Sequence, residues 1–173
     1  MIEEFGQTYS SMVEFGSGFS TLVWAGCFAH VTSVESRPQW ATQIAEEIQD
    51  RRISNVDLVL VEPDASAYRP DGTEKWTQRI PPDYGAVWEF RSYRATAREI
   101  ISDAGDNSVL FIDGQIRSEI LQDALEMGFS GPIMLHDVEP SRSYLNAQIL
   151  DHPDLVLTKQ VDRLVVLQAR TDS

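Results

Sequence analysis

Met12-Val13-Glu14-Phe15-Gly16-Ser17-Gly18-Phe19-Ser20-Thr21 is the stretch whose reading decides the fold. Met12 to Phe15 reads as a short buried strand, Gly16 and Gly18 as a turn free of bulky side chains, and Ser20 or Thr21 as the opening of a helix. Such a loop lets backbone approach a ligand where Cβ atoms are absent, beside a free helix N-terminus and an acidic side chain. A glycine pair also fits an ordinary strand-to-helix turn, so the assignment depends on the residues downstream of it.

Downstream lies His30-Val31-Thr32-Ser33-Val34-Glu35, a second strand ending in a carboxylate. Its distance from the loop, about twenty residues, is the length one strand-helix-strand unit needs to bring that carboxylate beside the glycines. A carboxylate there accepts both hydroxyls of a ribose. The third glycine of a dinucleotide-binding pattern would fall at Thr21, and that of a methyltransferase pattern at Ser20. Glu14-Phe15-Gly16-Ser17-Gly18 resembles the first motif of the class I S-adenosylmethionine-dependent methyltransferases, an acidic residue, one spacer and glycine-x-glycine.

The resemblance implies a Rossmann-like class I methyltransferase α/β fold. Its sheet is seven-stranded and mainly parallel, with an antiparallel C-terminal hairpin strand and helices on both faces. It implies S-adenosylmethionine as cofactor, with Glu14, Gly16, Ser17, Gly18, Ser20 and Glu35 holding it and Asp64 near the adenine. Two readings stand beside the enzyme: a non-catalytic methyltransferase-like scaffold, and a nicotinamide-dependent oxidoreductase. The second fits poorly with an acidic residue before the loop and with the lack of a substrate domain.

The 173 residues suit a single domain, 1–173, large enough to bury roughly two-thirds of its unfolded surface. With 14 basic against 27 acidic residues the formal charge is -13, which opposes a phosphate backbone and makes nucleic acid a poor substrate. The single cysteine, Cys27, reads as a buried small hydrophobe, and no apolar run reaches the length of a membrane span. Met1-Ile2-Glu3-Glu4 lacks the basic start of a signal peptide, so a cytoplasmic protein is expected. Residues 1 to 10 are too few for extra helices over the cofactor, which makes a homodimer that shields the pocket a reasonable expectation.

Along the chain, a short apolar helix is expected over Ser20 to Phe28, and a second helix from Pro38, with Trp40, Ile44, Ala45 and Ile48 at helical spacing and Trp40 in the core. Val56 to Val61 reads as a strand covered on both faces. About 65–90 is an aromatic and proline-rich insertion, with Trp76, Pro81-Pro82-Asp83-Tyr84-Gly85 and Trp88, assigned to the mouth of the site. Beyond it come a helix over Ser92 to Ala104, a strand ending at Asp113, a helix over Arg117 to Met127 and a strand ending at His136-Asp137. The chain closes with a hairpin of Leu155 to Thr158 and Leu164 to Leu167.

The strand ends carry the chemistry. Asp113, His136 and Asp137 are the candidate catalytic residues for methylating a hydroxyl of a small molecule, a sugar or secondary metabolite, and Asp113 also lies where the cofactor passes. In the metal-dependent relatives that this part resembles, aspartates after the fourth and fifth strands share magnesium, which makes Asp113 and Asp137 candidate Mg2+ ligands. Val138 departs from that pattern, where the relatives carry an amide side chain. His136 offers a metal-free route as general base, although adjacent strand residues point to opposite faces, so only one of His136 and Asp137 is expected to face the pocket. Arg117 and Arg142 are read as formers of surface or helix-terminal ion pairs, able also to meet an acidic acceptor.

Overall fold

The computed structural model describes residues 2–73, 87–138 and 152–170. Its elements run α1 (Ile2–Thr8), β1 (Ser11–Phe15), α2 (Phe19–Cys27), β2 (His30–Glu35), α3 (Pro38–Asp50), β3 (Val56–Leu60), α4 (Arg91–Asp103), β4 (Ser108–Ile112), α5 (Arg117–Glu126), β5 (Ile133–Leu135), β6 (Leu155–Val161) and β7 (Leu164–Ala169). Single turns of 3-10 helix at Ala65–Ala67 and Val87–Glu89 flank the undescribed part of the insertion, to which Trp76 and the Pro81 to Gly85 run belong. Arg142 also lies outside the described residues.

The strands form one seven-stranded sheet in the order β3-β2-β1-β4-β5-β7-β6. All pairings are parallel except those of β7, which runs antiparallel to β5 and β6. β1 lies inside the sheet, paired to β2 on one side and β4 on the other, so successive crossovers leave it in opposite directions. At such a switch point the connections diverge and open a crevice beyond the carboxyl ends of the strands. Glu14, Glu35, Asp113 and His136 therefore belong to one edge of the sheet because four different strands end there.

Alternation along β1 builds two cores. Val13 and Phe15 face a large cluster with Tyr93 and Ala97 of α4 and Ile120 and Ala124 of α5. Met12 faces a smaller one with Trp24 of α2, Phe28 just beyond it, Phe111 of β4 and Val166 of β7. Glu14 shares the face of Met12, so the sheet buries a carboxylate on its α2 side.

Several local expectations are corrected. A short helix, α1, precedes the first strand. β3 is an edge strand and only partly covered, with Leu60 45% exposed, so its apolar run does not mark a strand buried on both faces. Trp40 is 40% exposed; the inward positions of α3 are Ala41 and Ile44, one and four residues further along. β6 continues to Val161, and the hairpin turns tightly at Asp162 with φ 53. Cys27 is half-buried.

The α4 and α5 helices are joined by charge. Asp123 on α5 is fully buried and accepts from Arg94 Nε at 2.7 Å and Nη2 at 2.8 Å, and from Arg98. Asp123→Ala strips both arginines of this acceptor, and because they are partly exposed the loss is expected near 2 kcal/mol, smaller at high salt. Urea unfolding at low and high ionic strength measures it.

Candidate functional site

The loop after β1 is organised by Glu14, which is fully buried. Its carboxylate accepts from Ser20 Oγ at 2.6 Å and Trp24 Nε1 at 2.9 Å on one oxygen, and from Thr21 Oγ1 and Ser33 Oγ, both at 2.5 Å, on the other. Burial pushes this carboxyl up, while the hydrogen bonds from Ser20, Ser33, Thr21 and Trp24 pull it down. Ser33 gives its proton to Glu14, so Ser17 Oγ, 2.7 Å from Ser33 Oγ, is the donor of that pair. Gly18 N–H donates to Thr21 Oγ1 at 3.1 Å, closing the first turn of α2.

This network explains the absent third glycine. Ser20 and Thr21 supply hydroxyls to a carboxylate that would otherwise be buried with too few donors. Glu14, Ser17 and Ser20, expected at the cofactor, turn their side-chain oxygens toward one another or toward Ser33, so they shape the loop from behind. The part of the loop left open is backbone.

The two glycines differ. Gly16 has φ +99, and a Cβ there would lie 2.5 Å from Gly114 N and 2.8 Å from the Asp113 carbonyl carbon. It allows the loops after β1 and β4 to touch, backbone to backbone. A Cβ on Gly18, whose φ of -169 is ordinary extended backbone, would meet only Ser20 Oγ at 3.6 Å. A side chain is thus excluded at Gly16 and tolerated at Gly18.

Glu35 at the end of β2 is 6% exposed and accepts the N–H groups of Ser36 and Arg37, each at 2.7 Å, on one carboxylate oxygen. Burial raises its carboxyl above the ordinary range against those bonds. Asp64, expected near the adenine, meets the first turn of α4: Ser92 Oγ donates to one of its oxygens at 2.9 Å and Ser92 N–H to the other at 3.2 Å. The sequence reading missed Tyr93, whose hydroxyl is buried beneath the Gly16–Gly114 contact, 3.4 Å from the Val34 carbonyl. Burial, then the Glu35 and Glu14 carboxylates, keeps this phenol un-ionised.

At β4 and β5 the three expected catalytic residues meet. His136 Nδ1 is 3.1 Å from Asp113 Oδ1 and 3.6 Å from Asp137 Oδ1. Both His136 and Asp137 face the site, contrary to strand alternation, because β5 ends at Leu135 and Asp137 turns with φ 61. The hydrogen bond to Asp113 raises the imidazole's pKa above its ordinary value, burial opposes it, and the nearby charges of Asp113 and Asp137 add to the rise. With Nδ1 engaged by Asp113, Nε2 is the nitrogen left for a reacting group.

Two arginines complete the cluster. Arg117, read as the former of a surface or helix-terminal ion pair, is the first residue of α5, is 5% exposed and extends beneath both strand ends. Arg163, from the β6–β7 turn, lies 3.1 Å from Asp137 and was not anticipated, since its closeness to β5 depends on the strand order alone. Gln115, in the loop after β4, has a buried side-chain oxygen with no hydrogen-bond partner among the described residues, an acceptor available to a ligand.

The ligand atoms of Asp113, His136 and Asp137 lie within 4.8 Å of one another, a spacing that a metal ion could bridge. The surroundings do not fit Mg2+. Arg117 holds its guanidinium 3.1 Å from Asp113 and 3.6 Å from Asp137, and Arg163 adds a second cation on Asp137. Unit charges about 4 Å apart repel by about 4 kcal/mol at an effective permittivity near 20, and a divalent ion doubles that. Val138, at the position where an amide ligand was sought, packs into the apolar core.

Compared with protein-family models and with curated proteins, the sequence matches none. Solved structures share the fold. A methyltransferase-like protein from Silicibacter pomeroyi superposes with a TM-score of 0.66 at 21% identity, over 97% of this chain and 84% of that one. SMU.1697c from Streptococcus mutans, solved in complex with SAH, gives 0.55 at 12% identity over 97% and 95%. An rRNA methylase from Streptococcus thermophilus gives 0.51 at 15% identity over 98% and 94%. At these identities the likeness is one of fold: the chain has the class I methyltransferase fold, and that fold does not by itself exclude a nucleic-acid substrate.

The glycines give a test of the loop. Gly16→Ala is expected to lose about 2 kcal/mol through strain at positive φ and collision with Gly114, whereas Gly18→Ala stays within about 0.5 kcal/mol of wild type. Thermal and urea unfolding distinguish them. For His136, a pKa raised in the folded protein means stability that is present below the ordinary imidazole value and lost as pH rises through the raised one. Asp113→Asn is therefore expected to destabilise more at about pH 5 than at about pH 9.

Proposed function

We propose that this protein transfers a methyl group from S-adenosylmethionine to a hydroxyl of a small molecule, with His136 as the general base. The observation that carries the reading is the His136–Asp113 pair, held at 3.1 Å on the same edge of the sheet as the Gly16–Gly18 loop and Glu35. A poised base beside a nucleotide-type crevice is more than a structural turn requires. The cofactor fits the residues present: a glycine at position 18 whose missing Cβ would make only an ordinary contact, an acidic side chain at the end of β2 for a ribose, and, among the described residues, an unpaired acceptor on Gln115.

S-adenosylmethionine, when bound, supplies an electrophilic methyl on a sulfonium whose sulfur leaves as a neutral thioether. The chain's part is alignment and proton removal. Glu14 fixes the loop against β2 and α2, so Gly18 keeps one conformation. Glu35, with one carboxylate oxygen already accepting the Ser36 and Arg37 N–H groups, would hold the ribose hydroxyls through the other. An acceptor hydroxyl aligned with that methyl would give its proton to His136 Nε2, and Asp113 would stabilise the imidazolium through Nδ1–H. No magnesium takes part, since arginines already accompany both carboxylates.

The net charge of -13 supports a small acceptor over a polyanion. A cytoplasmic setting accords with the absence, among the described residues, of a helix long and apolar enough to cross a membrane.

Calorimetric titration with S-adenosylhomocysteine tests the reading without knowledge of the acceptor. Wild-type protein is expected to bind in the micromolar range, Glu35→Ala at least ~10-fold more weakly, and His136→Ala within about 2-fold of wild type. With the acceptor in hand, His136→Ala is expected to lower kcat by roughly 10²–10⁴. No detectable binding by wild type would overturn the methyltransferase assignment.

A further inference from the structure

Arg117 has more contacts than an ion pair needs. It is the first residue of α5, and the residue before it, Ile116, sits at φ 44, a conformation that a β-branched side chain rarely adopts. The turn directs Arg117 back beneath the sheet edge. Nε donates to the Gly114 carbonyl at 2.9 Å, Nη2 to the Asp113 carbonyl at 2.7 Å, and Nη1 to the His136 carbonyl at 2.6 Å. The same fork lies 3.1 Å from the Asp113 carboxylate and 3.6 Å from that of Asp137.

We propose that Arg117 is a built-in cation, standing between the strand-end carboxylates Asp113 and Asp137 where a divalent metal would otherwise bind and organising the two loops in its place. Two carboxylates whose oxygens converge with an imidazole within 4.8 Å repel one another unless a positive charge accompanies them. A guanidinium carries that charge permanently and has five N–H donors in a fixed fork, enough for three carbonyls and two carboxylates at once. It also bridges the two turns at Ile116 and Asp137, whose positive φ values need outside support. An ion pair at the surface would touch the carboxylates but not the carbonyls of Asp113, Gly114 and His136.

Arg117 is a positioning residue: it acts on Asp113 and His136 and is placed to touch neither methyl nor acceptor. The metal independence of methyl transfer rests on the proposed methyltransferase activity. The exclusion of metal from this cluster does not.

The test is a Mn2+ titration monitored by broadening of the His136 ring signals in NMR spectra and by calorimetry. It uses wild type, Asp113→Asn, Arg117→Lys, Arg117→Gln and the double variant Arg117→Gln with Asp137→Asn. Wild type and Arg117→Lys are expected to show no broadening beyond that of Asp113→Asn. Arg117→Gln is expected to bind Mn2+ at least ~10-fold more tightly than wild type, and the double variant to lose that gain. Selective broadening of His136 in wild type or in Arg117→Lys, absent in Asp113→Asn, would overturn the proposal, as would folded Arg117→Gln with no gain. If Arg117→Gln does not fold, the wild-type and Arg117→Lys comparisons decide alone. Titration with S-adenosylhomocysteine in the absence of metal is read separately, so failure of cofactor binding leaves the metal result standing.

Discussion

The fully buried Glu14 carboxylate sets the geometry of the nucleotide-type loop. A buried anion without donors is too costly to keep, so it must be met from several directions at once. Ser33 from β2 and Ser20, Thr21 and Trp24 from α2 meet it, which fixes strand, loop and helix relative to one another. The same demand accounts for hydroxyl residues where related motifs place a glycine. Charge burial thus does on one face of β1 the job that apolar packing of Phe15 against Tyr93 does on the other.

The far side of the crevice depends on a cation. Arg117 holds the carbonyls after β4 and β5, and through them the orientation of Asp113 and His136. Between the two charged centres, Gly16 and Gly114 press backbone on backbone over the Tyr93 hydroxyl, leaving no room for a side chain. The floor of the site is therefore closed to a side chain at Gly16 and Gly114, whereas one at Gly18 would make only an ordinary contact with Ser20 Oγ. Preorganisation of this kind suits a reaction in which alignment and one proton transfer are the protein's contribution.

The strands and helices were legible because their signals are local. The short, mostly apolar run of Met12 to Phe15, the helical spacing of Trp40, Ile44 and Ile48 after Pro38, and the glycine stops after α4 and α5 each depend on a few neighbouring residues. The parallel sheet was legible because strands and helices alternate. Where a reading failed, the deciding partner was distant in sequence. Val56 to Leu60 looks like an interior strand but lies at the edge, since its apolar content does not say how many neighbours it has. Trp40 fits a core position by type, yet Ala41 and Ile44 face the sheet and turn it outward.

For the site, the sequence by itself determined which groups reach the carboxyl edge: Glu14, Glu35, Asp113, His136 and Asp137 all stand at or just beyond strand ends, and strand direction places them together. Only the tertiary structure decided the part each one plays there. Glu14 turns to α2 because alternation along β1 puts it on the Trp24 face. Asp64 turns to Ser92 because α4 begins beside it. Arg117 lies buried because the Ile116 turn folds it back, and Arg163 joins Asp137 because β7 inserts beside β5. The physical reason is common to all of them: a charged side chain takes the partners that remove it from water at least cost, and those partners come from elements remote in sequence.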